Sequence, residues 1–344
     1  MKHSTHAALI TAALSGGMLA AAPANAQSIV VNIDETQAEQ YGLDVSGLEN
    51  NLSSTVNDQL NIGDQAAFLA GMANAAALAT KGMGVDYASN PKRVVFGGSF
   101  GSAVNGVGAS FKRGEYAVPE GGFSMQASLM AGINLGFGNE DSALSRFRLY
   151  ANGLTLGTSG DSFNASVYNY GAHLQFQLLK PRQAAVVEWG GLAVTSGYEV
   201  SGYVMELTSA LPVATQQDEI ELTWDAVGAY DIVSVSDTIP IEVSTNLRVF
   251  VATVFVGGGV DMVSAGSATS EVSLGGDITA AAAGQEATLG NIGVSLADEG
   301  FADDMVPRAF VGAQADLLFL KAYGQLNIGF NESFGGHIGL RVVL

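Results

Sequence analysis

Residues 121 to 137, GGFSMQASLMAGINLGF, alternate almost without fault. Phe123, Met125, Ala127, Leu129, Ala131, Ile133, Leu135 and Phe137 share one parity, and Ser124, Gln126, Ser128, Gly132, Asn134 and Gly136 share the other. Successive side chains of an extended strand point to opposite sides, so one face is apolar and the other polar. A soluble sandwich turns the apolar face inward. A membrane-spanning barrel turns it outward to lipid and lines its lumen with the polar face.

The same period recurs after Pro91. Val94, Phe96, Phe100 and Val104 oppose Arg93, Ser99 and Asn105; Phe147, Leu149 and Ala151 oppose Arg146, Arg148 and Asn152; Tyr170, Ala172, Leu174 and Phe176 oppose His173, Gln175 and Gln177. Farther on, Ile220, Leu222 and Trp224 oppose Glu221 and Asp225, Ile241, Val243 and Leu247 oppose Glu242 and Arg248, and Leu326 and Ile328 oppose Lys321 and Gln325. Ile338, Leu340 and Leu344 close the chain against His337 and Arg341. Soluble strands average about 5 to 6 residues, whereas several of these patterns run past the roughly 9 to 11 that cross a bilayer at a tilt. The expected fold is therefore all-β, a transmembrane antiparallel barrel of roughly 12 to 14 strands over residues 92–344. Short links such as LKPRQ read as turns at one end, and the Gly/Ala/Ser-rich, acidic stretch from Ser264 to Met305 reads as a long loop at the other.

Residues 1–26 read as a secretory signal, with Lys2, an apolar run and Ala24-Asn25-Ala26 before Gln27. Its removal takes away one of the 14 basic residues and none of the 33 acidic ones, leaving a mature chain more acidic than the formal -19 of the whole. Nucleic acid is excluded as a partner on that balance. With no cysteine there is neither a disulfide framework nor a thiolate metal site. The expected surroundings are outer-membrane lipid, a barrel assembly machinery that inserts the chain, and a small-molecule solute.

Between Gln27 and Thr80 the period is helical and the chain holds no Lys or Arg but seven acids, Asp34, Glu35, Glu39, Asp44, Glu49, Asp58 and Asp64. Val45, Leu48, Leu52, Val56 and Leu60 recur every three or four residues, and DQAAFLAGMANAAALAT continues as an Ala-rich helix. Residues 27–91 are thus a helical segment, either a plug inside the barrel or a pair of packing helices in the periplasm.

If the apolar parity meets lipid, the polar parity places Arg93, Arg146, Arg148, His173, Glu221, Asp225, Arg248, Lys321, His337 and Arg341 on the lumen. The basic members can pair with lumen acids Glu221, Asp225 and Glu242, or with the seven acids of an inserted plug. No nucleophile accompanies either His in a local motif, and no cofactor or metal site emerges: Asn139-Glu140-Asp141, Asp298-Glu299 and Asp303-Asp304 lack Ca²⁺-loop spacing, and VGGGVD lacks a nucleotide fingerprint. An enzyme is not expected.

The signal, the Ala/Gly-rich helical segment ending in YASNPKRVVFG and the barrel that follows resemble the FadL-type outer-membrane transporters of hydrophobic molecules. In that family an N-terminal hatch ends at an Asn-Pro before the first strand, and Asn90-Pro91 is the matching position here. The resemblance implies an outer-membrane location and passive uptake of small hydrophobic solutes. An open general porin and a structural or adhesive barrel are the alternatives the residues leave standing.

Overall fold

The computed structural model describes residues 26–59, 65–106, 121–139, 141–217, 220–282 and 285–344. The expected signal sequence, save Ala26, therefore lies outside the described residues, as do Asp64 and Glu140. Thirteen strands form one antiparallel sheet. Ten of them close a ring: β2 (Val94–Asn105), β3 (Phe123–Asn134), β4 (Phe147–Ser159), β5 (Phe163–Leu179), β7 (Val187–Gln217), β8 (Ile220–Val249), β9 (Ala252–Ala282), β11 (Met305–Leu317), β12 (Leu320–Gly329) and β13 (Ser333–Val343). The other three, β1 (Ala26–Ile33), β6 (Arg182–Ala184) and β10 (Gln285–Phe301), add to the ends of ring strands. The last strand pairs with the first of the ring, Val342 opposite Phe96 and Ser333 opposite Asn105, so the ring has no open edge.

The parity of β3 answers the question its sequence poses. Ser124, Gln126, Ser128 and Asn134 are buried and Phe123, Met125, Leu129 and Ala131 are exposed, so the polar face points in. Every strand of the ring contributes an exposed apolar or aromatic side chain to the outer wall: Phe96, Leu129, Leu149, Leu174, Tyr198, Val243, Val254, Val311, Leu326 and Ile338.

Three strands are far longer than a bilayer requires. β7 and β9 run for 31 residues and β8 for 30. At about 3.3 Å per residue that is near 100 Å, against a hydrocarbon core of about 30 Å. Along β8 the even-numbered residues face inward from end to end, but their chemistry changes: Leu222, Trp224, Ala226 and Ile232 are buried in the upper half, Ser234, Ser236, Thr238, Glu242, Ser244 and Asn246 in the lower. The outer face inverts with them, from Glu221 and Asp225 above to Ile241, Val243 and Leu247 below. Side-chain direction is fixed by the pleat, so the inversion records a change in what lies on the two sides of the wall, with packed apolar helices inside its upper half.

The stretch from Ser264 to Met305 is accordingly a hairpin and not a loop. The upper half of β9 pairs with β10, and β10 and β11 follow β9 as one course interrupted at 302–304. The pairing of β8 with β9 skips Ser264, a bulge that shifts the inward parity of β9 from Thr253 and Phe255 below to Ala268, Ser270 and Val272 above. Its glycines, alanines and serines with scattered acids fit a strand with a water-facing side as well as they fit a loop.

Residues 26–33 also differ from the helical expectation. They form β1, paired with β10. Next come α1 (Glu35–Gln40), capped by the Asp34 carboxylate accepting from the Gln37 N–H, and α2 (Val45–Gln59). Ala38, Leu48 and Leu52 of these helices, with Leu43 between them, pack on Leu222, Trp224, Ile278, Leu289, Ile292 and Val294 of the extended strands. Burying each large member is worth roughly 1.5 to 3 kcal/mol. This core stands above the ring and gives the long strands something to cover.

Candidate functional site

α3 (Gln65–Ala79) lies inside the ring. Its sequence, QAAFLAGMANAAALA, is small and apolar all round, and Leu69, Gly71, Met72 and every residue from Ala73 to Ala79 are buried. A helix without a polar face has to be enclosed on all sides. It touches β2, β3, β8, β9, β10 and β13. Two glycines of the wall admit it: a methyl group at Gly122 would lie 1.9 Å from the Gly71 carbonyl carbon, and one at Gly300 would lie 2.2 Å from the Ala70 nitrogen. Glycine is required where two backbones come this close.

Beyond α3 the segment KGMGVDYASNP, residues 81–91, crosses the lumen and is held by charge. Lys81 is bonded to Glu199 and to the Thr238 hydroxyl, and its carbonyl accepts from Asn327 at 3.2 Å. Asp86 Oδ1 lies 2.9 Å from Arg341 Nη1, whose other amino group donates to the Val85 carbonyl at 2.8 Å. The same Asp86 oxygen accepts from the N–H groups of Ala88 and Ser89, which fixes the turn. Arg341 itself stacks over the Tyr323 ring at 3.6 Å.

Tyr87 enters a third cluster. Its hydroxyl donates to Glu242 Oε2 at 2.5 Å, its ring sits 4.7 Å from that of Phe310, and its carbonyl accepts from Asn246 at 2.7 Å. Burial pushes the Tyr87 phenol well above its ordinary value, so it stays a donor. Arg308 is bonded to Glu242 and, through Nε at 2.8 Å, to Asp261. Among the described residues the buried charges of the lumen are Lys81, Arg148, Arg308 and Arg341 against Asp86, Glu199, Glu242 and Asp261. The two signs balance, as a filled, water-poor interior requires.

The residues expected on the lumen divide into three groups. Arg148, His173, His337 and Arg341 are buried inside the ring. Arg93, Arg146, Arg248 and Lys321 lie at its short-turn end: Arg93 is exposed just before β2, Arg146 is half-buried in a short 3-10 helix, Arg248 pairs with Glu188, and Lys321 lies 3.2 Å from Asp316. Glu221 and Asp225 are a correction. They are exposed on the outer face of β8, because in the upper wall the apolar side turns inward onto α1 and α2.

Of the seven acids expected to meet barrel cations, the side chains of Asp58 and Asp64 lie outside the described residues, and the other five do not enter the lumen. Asp34, Glu35, Glu39 and Asp44 are exposed beside the upper wall and Glu49 is half-buried. Lys81, Asp86 and Tyr87 take that part instead, with Glu199, Asp261 and Arg308 as wall partners that the sequence pattern does not single out. His173 and His337 are buried; His173 Nε2 lies 3.5 Å from Glu199 Oε1, and the His337 ring is edge-on to Tyr323 with centroids 5.6 Å apart. Among the described residues no three His, Cys, Asp or Glu side chains gather as a metal site.

Solved structures similar to the chain include the Ralstonia pickettii toluene transporter TbuX, 9% identical with a TM-score of 0.25 over 73% of this chain and 90% of that one. The monoaromatic hydrocarbon channel CymD is 8% identical, TM-score 0.25, over 79% and 98%. The translocator domain of the autotransporter NalP from Neisseria meningitidis is 11% identical, TM-score 0.27, over 91% and 99%. Likeness at this level transfers neither residue roles nor an activity. No curated protein is significantly similar in sequence. A family model described as Lsa36-like matches residues 24–344, and the chain belongs to the Lsa36-like family.

Proposed function

We propose that the protein is an outer-membrane barrel for passive uptake of small hydrophobic solutes, kept shut by the α3 plug. The observation that carries this reading is the inverted wall of the ring, apolar outside and polar inside, around a lumen filled by α3 and residues 81–91. An inverted wall suits lipid and not water. An open general porin fits poorly with so filled a lumen. The preference for a hydrophobic solute rests on the interior above the charged clamp, where Tyr203, Ile232, Ala268 and Ala302 surround Leu69 and Met72. When α3 withdraws, a solute entering from that end meets apolar wall before it meets charge.

The lipid-facing assignment has its own measurement. Val243→Arg, on the outer face of β8, should cost about 2 to 4 kcal/mol if that position lies near the bilayer midplane, read as a lower urea midpoint in lipid vesicles. An unchanged midpoint would remove the belt from the membrane. Uptake is tested with the unaltered mature chain in vesicles. An encapsulated reporter should register an apolar aromatic probe faster than in protein-free vesicles, while a planar bilayer holding the same protein shows no steady ion conductance. Steady conductance would make it a porin, and absence of both would leave a structural or adhesive barrel.

A further inference from the structure

The short-turn end of the ring carries a cavity of about 480 Å³ into which the plug segment emerges at Asn90-Pro91. Its walls hold Lys92, Arg146, Arg148, Lys180, Arg182 and Arg248 against one acid, Glu188. In a chain of 14 basic and 33 acidic residues, that is a strong local reversal of charge. Arg248 is neutralised by Glu188. Arg146, Lys180 and Arg182 have no ion-pair partner among the described residues, and the buried Nε of Arg148 has no hydrogen-bond partner. Cations without an ion-pair partner around an open cavity offer charge-assisted donors and a favourable field to an anion.

The turns at this end of the ring are apolar. The turns that end the strands here carry Phe137, Ala185, Phe250 and Leu318 in the left-handed backbone region, at φ between 47° and 59°. Left-handed positions ordinarily go to Gly, Asn or Asp. Here Phe250 is 73% and Leu318 87% exposed, and Val186, Val251 and Phe319 beside them are exposed as well. Backbone strain and bare apolar surface on the same residues both oppose a turn end in water. Acyl chains around these tips account for the bare apolar surface, and for apolar residues at positions that water would leave to Gly, Asn or Asp.

We infer that this mouth binds the phosphate of an anionic phospholipid headgroup, with the turn tips embedded among its acyl chains. Cations within a ring of apolar anchors match both halves of such a lipid, and a free phosphate would leave the tips unexplained. The inference rests on the membrane reading of the barrel.

The test is native mass spectrometry of the mature protein in detergent containing equal phosphatidylglycerol and phosphatidylcholine. Phosphatidylglycerol adducts should exceed phosphatidylcholine adducts at least fivefold. The preference should vanish in Arg146→Gln/Arg182→Gln, and fall in Arg182→Gln alone, an exposed position where folding is not at stake. Millimolar inorganic phosphate should not displace the lipid. Equal adducts of both lipids, or a preference untouched by the variants, overturns the site, and displacement by phosphate overturns the lipid as its source. The difference in gel mobility between unboiled and boiled protein is read in parallel. Its loss would count against the barrel, whereas loss of lipid preference with the shift intact counts against this site alone.

Discussion

Reversing both charges of the plug, Lys81→Glu with Asp86→Lys, should turn a non-conducting barrel into one with steady ion conductance. The variant sets a carboxylate against Glu199 and an ammonium against Arg341, in positions where the native pairs are in contact. Two like charges about 4 Å apart repel by about 4 kcal/mol at an effective dielectric of 20. Each such repulsion is worth nearly three decades in an equilibrium constant. The backbone carbonyls of Lys81 and Tyr87 would still be held by Asn327 and Asn246, but those neutral bonds are worth about 1 kcal/mol each. Conductance should fall when Glu199→Lys is added to the double variant, since the first pair is then restored with its signs exchanged and only the second repulsion remains. A silent double reversal would mean that the glycine-backed packing of α3, and not charge, keeps the lumen closed. Conductance without rescue would point to a general loss of folding.

The chain announces its ring plainly and its extension hardly at all, for a physical reason. Alternation in β3, β5 and β13 is legible because one medium, lipid, lies outside the whole strand, so one parity stays apolar. β8 passes from lipid to water, and the meaning of its parity reverses between Ile232 and Thr238 with no break in the alternation itself. The rule that holds in the lower half would send Glu221 and Asp225 inward and Trp224 outward; the apolar helices packed within make the opposite arrangement the stable one. The upper part of β9 adds a bulge at Ser264 that shifts its parity, which makes a strand look like a loop.

The helices of the N-terminal segment are legible from period, and the end of the plug from Pro91. Its charged clamp is not, because Lys81, Asp86 and Tyr87 sit in an irregular stretch where no period applies. Arg308 is hidden differently. Its inward neighbours on β11 are Val306 and Phe310, both apolar, and Phe310 packs against Tyr87 of the plug, so this strand has no clean polar face. Glu199 lies in residues 184–210, which like 250–263 read as strand with an uneven alternation. An inside made of both a packed helix and an ion-pair network produces mixed faces, and a two-letter pattern cannot sort them.

Replacing Arg308 by Met should be the most destabilising single change in the wall, about 3 to 5 kcal/mol. The guanidinium is fully buried and is the cation shared by Glu242 and Asp261, both nearly as buried. Without it two carboxylates remain in the interior, with the Tyr87 hydroxyl and no cation to hold Glu242. Unfolding in urea, followed by loss of the folded gel band in lipid vesicles, reads the cost as a lowered midpoint. The argument makes a second demand: Arg308→Met combined with Glu242→Gln and Asp261→Asn should recover most of the loss, because the penalty comes from stranded charge and not from a missing contact. A triple variant as unstable as the single one would mean that the network is needed intact to shape the wall around Tyr87. Recovery of stability with the plug still seated would show that Arg308 neutralises the interior without itself latching the plug, leaving Lys81 and Asp86 as the pairs on which closure depends.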